Sequence, residues 1–284
     1  MTISRRQFCG ALGTSLAVAN SNLFADDSKP KPFRVIAYNI YKSKGWPSDR
    51  PLARRAVAKG QMAERLAMEL ALHDPDIVNF SESPNEEFTK DVAELMGMNH
   101  VRFPSGGSWP GTLLSKSKVI ESQNAPTKGE RPKDLFTRHW GRATVELAGY
   151  EPLIVHSAHL FPTPDPKIRL REIRAMIESM KSDLDAGKSM LLIGDMNHRP
   201  DTEEYAIWMD AGWVDTFAKV GKGEGLTFKA DIPNSRIDYV MAAGPIAERI
   251  IESRPLYEGA FRLNINDEES YSLSDHLPQL AVFQ

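Results

Sequence analysis

Eight polar residues stand where an apolar run begins or ends. Asn39 lies near the end of FRVIAYNI, Glu82 follows DIVNF, and His159 is near the end of LIVHSAHL. Asp195 and Asn197 close MLLIGDMN, Asp238 is near the start of RIDYV, and Asp275 and His276 sit in SLSDHLP just before the last apolar run. Carboxylates and amides without cysteine favour a hard cation such as Mg²⁺ or Mn²⁺. Carboxylates gathered in one place repel unless a cation or a proton lies between them. Histidines add general-base chemistry or contacts to phosphate oxygens. In Asp195-Met196-Asn197 the two-residue period of a strand puts both polar side chains on one side. One can then hold a metal or a water while the other orients it.

These residues need rigid mounts. Strands are expected at 33–40, 76–80, 100–103, 111–115, 142–147, 153–160, 190–193, 236–243 and 278–283, with another near 249–253. One long helix is expected over Leu52–His73, where Met62, Leu66 and Leu70 recur every four residues. Further helices are expected over 86–96, 168–186 (with Gly187 as its C-terminal cap) and 202–211, capped by Thr202 or Asp201. Residues 123–139 read as a loop carrying Lys128, Arg131, Lys133 and Arg138. Some neighbouring strands are joined by connections too short for a crossover helix. The expected class is therefore α/β with mixed sheets and helices outside, in one domain over 33–284.

Six polar strand ends suggest a single convergent site. The segments AYNI, DIVNF-Ser81-Glu82, AHL at His159, GDMN at 194–197, RIDYV at 236–240 and SDHLP at 274–278 resemble, in order, the motifs of the endonuclease/exonuclease/phosphatase superfamily. That resemblance implies a four-layer sandwich of two mixed β-sheets flanked by helices, with the site at one rim. It implies Glu82 as principal metal ligand, with Asn39 beside it and Asp275 supporting the metal directly or through water. Asp195 would orient or deprotonate the attacking water, and Asn197 would position that water or the phosphate. Asp238 would fix the tautomer and charge of His276, and His276 and His159 would bind the scissile phosphate. The implied reaction is in-line attack of water on phosphorus, assisted by Mg²⁺ or Mn²⁺. Two departures from the family pattern stand out: Ser81 replaces a customary glutamine and Met196 a customary phenylalanine. His156 competes with His159 for its role, while His198 reads as a loop residue. Arg142 reads as a surface salt bridge at least as well as a substrate contact, and the basic loop reads first as solvated surface, with a patch that steers an anionic substrate as its alternative.

The first 25 residues have the layout of an export signal. Arg5 and Arg6 precede a short apolar run, and SRRQF resembles a twin-arginine motif. Residues 26–32 then form a linker, and the protein is expected outside the cytoplasm, periplasmic or extracellular. Cys9, the only cysteine, lies in that signal, so the mature chain has no thiol or disulfide chemistry. The formal charge is −3, and it becomes −5 without residues 1–25, which hold two arginines and no acids. That balance disfavours broad, charge-driven nucleic-acid binding while leaving a local basic cleft open. Trp46, Trp109 and Trp140 are scattered, with no amphipathic insertion for a lipid surface. No transmembrane segment is expected, and the chain is taken as a monomer.

The expected function is hydrolysis of an anionic phosphoric ester, with a phosphodiester first. A phosphomonoesterase, a nuclease of the same fold or an inactive phosphate-binding module are the alternatives.

Overall fold

The computed structural model describes residues 31–127 and 129–284. The expected export signal over 1–25 and most of the expected linker lie outside the described residues. The strands are β1 (Phe33–Asn39), β2 (Ile77–Ser81), β3 (Asn99–Phe103), β4 (Gly111–Ser115), β5 (Val119–Asn124), β6 (Trp140–Val145), β7 (Leu153–His159), β8 (Met190–Asp195), β9 (Val214–Asp215), β10 (Asp238–Ala243), β11 (Ile250–Pro255) and β12 (Gln279–Phe283). The α-helices are α1 (Pro51–Ala58), α2 (Met62–Ala71), α3 (Glu86–Met96), α4 (Lys167–Asp185), α5 (Glu203–Asp210) and α6 (Thr216–Val220).

Two six-stranded sheets form, in the orders β11-β12-β1-β2-β4-β3 and β5-β6-β7-β8-β10-β9. The pairs β1–β2 and β7–β8 are parallel, and the remaining neighbours are antiparallel. This is the expected pair of mixed sheets. Three apolar clusters define the layers. Ile36, Tyr38, Val78 and Phe80 pack under α2 and α3. Val35, Ala37, Val155, Leu191, Ile193 and Val240 fill the space between the sheets. Ile154, Leu192, Tyr239 and Met241 pack against α4 and α5.

Strand parity places the polar residues. Side chains alternate across a strand, so the row Val35-Ala37 that faces the other sheet continues to Asn39. Val155 continues to Ser157 and His159, Leu191-Ile193 to Asp195, and Ala242-Val240 back to Asp238. The space between the sheets is therefore apolar at one end and polar at the other. Register aligns the polar ends: His159 pairs with Asp195, Asp195 with Asp238, and Asn39 with Ser81.

Gly194, which precedes Asp195, has φ +142°, and a Cβ there would lie 1.8 Å from the Ala158 carbonyl oxygen in the parallel neighbour. That oxygen is backbone and cannot move aside. Gly194→Ala is expected to cost at least about 2 kcal/mol through strain and overlap and to displace Asp195. A thermal melt checks the first effect and turnover the second.

The helix expected over 52–73 is two helices. Gly60, at φ +67°, breaks the chain between α1 and α2, because a left-handed residue cannot continue a right-handed helix. Strand β5 is not among the expected strands, and its last two residues, Gln123 and Asn124, fall in the expected 123–139 loop. It is an edge strand with mostly exposed side chains, so it lacks the apolar alternation that marks a half-buried strand. The short α6 begins at Asp215, whose carboxylate accepts from the Phe217 N–H at 2.9 Å. No described helix is long and apolar enough to cross a membrane.

Candidate active site

Asp195 is the hub. Its Oδ2 accepts from Asn39 Nδ2 at 3.0 Å and lies 3.5 Å from His159 Nε2 and 3.8 Å from His276 Nε2. Its Oδ1 accepts from the Asn197 backbone N–H at 3.0 Å. Burial raises the Asp195 pKa, as does the Asp238 charge, against the pull of His276 and the Asn39 hydrogen bond. Asn197 has a left-handed φ of 51° and donates its side-chain amide to the Leu160 carbonyl at 3.0 Å. The period-two rule does not reach it, because β8 ends at Asp195.

His276 Nδ1 lies 2.8 Å from Asp238 Oδ2. Burial alone would lower the His276 pKa. The Asp238 charge and hydrogen bond, with the charges of Asp195 and Asp275, overcome it and raise the pKa to about 10. At neutral pH this is an imidazolium donating to Asp238. Two further contacts seat the segment: the Ser274 hydroxyl donates to the Asn39 carbonyl at 2.6 Å and accepts from the His276 N–H at 3.2 Å. The Asp238 N–H reaches Thr227 Oγ1 at 3.2 Å.

Glu82 stands one residue past β2. By parity it would face α2 and α3, but its φ is +56°, a conformation uncommon outside glycine, asparagine and aspartate. Burial raises its pKa. The charge of His276, a hydrogen bond from Asn39 and the charge of Arg138 oppose that rise, and Asp275 adds to it. Asp275 is itself raised by burial. Tyr41, Lys42 and Ser43 form a second left-handed run beside Asn39, whose side-chain oxygen accepts from the Tyr41 N–H at 3.1 Å. Strained backbone thus gathers at the ends of β1, β2 and β8.

The competing residues separate cleanly. His159 faces Asp195 from the inner row, and burial holds its pKa well below the usual histidine value. His156 points to the helix side, where its Nδ1 accepts from the buried Trp140 indole N–H at 3.2 Å. His198 is buried against Tyr239, 5.2 Å between rings, away from the hub. Arg142 pairs with Glu121 at 2.6 Å and Asp183 at 3.7 Å. Arg236 pairs with Asp215 at 2.5 Å, leaving Asp238 to His276. Trp140 is fully buried and Trp46 and Trp109 half-buried, so none forms an exposed aromatic tip.

Residues without a sequence signal support the site from behind. Ser157 bonds both Asn79 of the facing sheet and His139. Buried Glu172 of α4 accepts from the Phe136 and Phe161 N–H groups at 2.7 and 3.0 Å, tying the segment before β6 to the one after β7. Their partners are set by tertiary contacts between segments far apart in sequence.

Potential ligand atoms of Asp195, Asp238 and His276 lie within 4.8 Å of one another. The raised His276 pKa favours the protonated imidazole, which has no lone pair for a metal. The oxygen donors of Glu82, Asn39 and Asp275 adjoin this trio, and the two carboxylates among them have pKa values raised by burial. Desolvated carboxylates of this kind suit a hard divalent cation.

Known proteins share this architecture. A conserved protein of unknown function from Enterococcus faecalis V583 superposes with a TM-score of 0.69 at 15% identity, covering 88% of this chain and 98% of its own. The mannosyl-6-phosphatase of Bacteroides thetaiotaomicron VPI-5482 superposes at 0.65 with 17% identity, over 88% of this chain and 98% of that one. Truncated TDP2 of Caenorhabditis elegans superposes at 0.64 with 16% identity, over 89% and 97%. No curated protein matches by sequence. The sequence model of the endonuclease/exonuclease/phosphatase family matches residues 36–276, a span that runs from β1 to His276. The chain belongs to the endonuclease/exonuclease/phosphatase family.

Proposed function

We propose that this protein is an exported, divalent-cation-dependent phosphoric-ester hydrolase that acts first on a phosphodiester. One observation carries the reading: a buried carboxylate, Asp195, is fixed by hydrogen bonds from two neighbours, Asn39 and the Asn197 N–H, between His159 at 3.5 Å and His276 at 3.8 Å, the first with its pKa lowered by burial and the second with its pKa raised by Asp238. That is a base aimed by hydrogen bonds, set beside a cation suited to a phosphate oxygen. Mg²⁺ or Mn²⁺, held by Glu82 with Asn39 and Asp275, supplies Lewis-acid stabilisation of phosphate charge when bound. Asp195 takes a proton from the attacking water. His276 donates to a non-bridging phosphate oxygen, and Asp238 keeps it charged. His159 orients the phosphate through its ring N–H, and Asn197 supports the loop beneath Asp195. No enzyme nucleophile is required.

The test is hydrolysis of bis(p-nitrophenyl) phosphate and of p-nitrophenyl phosphate with Mg²⁺, with Mn²⁺ and with EDTA. Turnover of the diester that needs a cation is the expected result. Turnover of the monoester alone would reassign the enzyme as a phosphomonoesterase. No turnover of either ester by folded protein would leave a phosphate-binding module.

A further inference from the structure

Three loops converge beside Glu82, and each is fastened to a strand end of the site. Lys42 follows β1, and its N–H donates to the Glu82 carbonyl at 3.1 Å. Trp109 precedes β4, and the carbonyl of the next residue, Pro110, accepts from the Ser83 N–H at 2.9 Å. Arg138 precedes His139, whose carbonyl accepts from the His159 N–H at 2.9 Å. The Gly106 N–H closes the second loop onto the third through the Phe136 carbonyl at 3.0 Å.

The side chains of these loops meet in a stack. Lys42 Nζ lies 3.7 Å from the Trp109 ring centroid and Arg138 Cζ lies 4.0 Å from it. Both cations therefore lie within cation–π range of the same indole. Both are half-buried. Among the described residues neither makes an ion pair, and the buried Nη1 of Arg138 has no hydrogen-bond partner. The acids that act on Arg138 most strongly are Glu82 and Asp195 of the site itself, followed by Glu172 behind it. Trp109 is thus engaged by two cations of the chain itself. It serves as a spacer that holds two positive charges at the rim of the centre, with donor capacity unspent.

We propose that Lys42 and Arg138, braced by Trp109, form an anion subsite that takes a second phosphate or carboxylate group of the substrate, next to the ester being cleaved. The proposal rests on the phosphoric-ester reading of the adjoining centre and names the class of substrate it prefers: one with an oxyanion beyond the scissile phosphate. Such a group accepts charge-assisted hydrogen bonds from both cations.

Calorimetric titration of the full chain in EDTA, with inorganic phosphate and with inorganic pyrophosphate, tests it without turnover. Succinate provides the carboxylate arm. Wild type is expected to bind pyrophosphate on the order of tenfold more tightly than phosphate, about 1.4 kcal/mol. The Lys42→Met/Arg138→Met variant is expected to lose that advantage while still binding phosphate, and Arg138→Lys to keep part of it. Binding of succinate by wild type would extend the subsite to carboxylates, and its absence would confine it to phosphates. Were the double variant unstable, Lys42→Met alone, in a surface turn, should reduce the ratio. An unchanged ratio in the variants would overturn the subsite. So would equal loss of phosphate and pyrophosphate, or wild type binding neither. Failure of wild type to hydrolyse esters would instead remove the hydrolase reading and leave this binding result standing.

Discussion

Asp195→Asn lowers turnover of a phosphoric ester by about 10²–10⁴-fold, the ordinary contribution of a positioned general base. The amide keeps the size of the side chain and one acceptor oxygen, so the N–H groups of Asn39 and Asn197 lose one partner between them. What disappears is basicity at the point where three strands align. The fold should tolerate the change. Burial raises the wild-type Asp195 pKa, so its contribution to stability is present below the ordinary carboxylate pKa and is lost as pH rises through the raised one. Relative to wild type, the variant should therefore gain stability between acidic and neutral pH. Initial rates at neutral pH with thermal melts at pH 5 and pH 8 separate the two effects. Wild-type rates in the variant would remove Asp195 from the chemistry.

Asp238→Asn acts through its neighbour. Without the Asp238 charge and hydrogen bond, burial governs His276, and its pKa falls from about 10 toward or below the ordinary 6.5. The imidazole is then neutral at pH 8, and the phosphate loses a charged donor. Rates should fall by about 10²–10³-fold, the usual effect of removing one preorganised donor. The pH profile should change shape as well. Wild type keeps the imidazolium until pH nears 10, whereas the variant should lose activity from near neutrality upward. Stability follows the same sign. A raised histidine pKa stabilises the fold fully below pH 6.5 and loses that contribution as pH rises through about 10, so the variant's deficit is largest at low pH. Rates from pH 6 to pH 10 give the profile, and superimposable profiles would show that Asp238 does not set the charge on His276.

The inner rows of the sheets were legible because strand parity is local. Asn39, His159, Asp195 and Asp238 each continue an apolar row by an even step, and that can be read from sequence once the strands are placed. Glu82 and Asn197 escaped parity because their backbones turn left-handed, and nothing in ES or MN announces that. Their places at the ends of apolar runs, and then the family motifs, pointed to both. The break at Gly60 and the exposed edge strand β5 were lost for other reasons: extending the repeat of Met62, Leu66 and Leu70 back across Gly60 to residue 52 hid the first, and missing apolar alternation hid the second. Trp109 stood out in sequence only as an aromatic residue. Its place between Lys42 and Arg138 depends on three loops far apart in the chain, and local patterns carry no record of such a meeting. The pairing of Arg236 with Asp215 is likewise a tertiary contact with no local signal.

The most direct measurement is the cation dependence of turnover in wild type and Glu82→Gln. Wild type should show a saturable requirement for Mg²⁺ or Mn²⁺ that EDTA abolishes. Glu82→Gln should need on the order of tenfold or more cation to reach half its own maximal rate, as expected when a charged oxygen ligand is neutralised. Turnover that survives EDTA, or an unshifted cation midpoint in the variant, would contradict a metal-assisted centre built on Glu82.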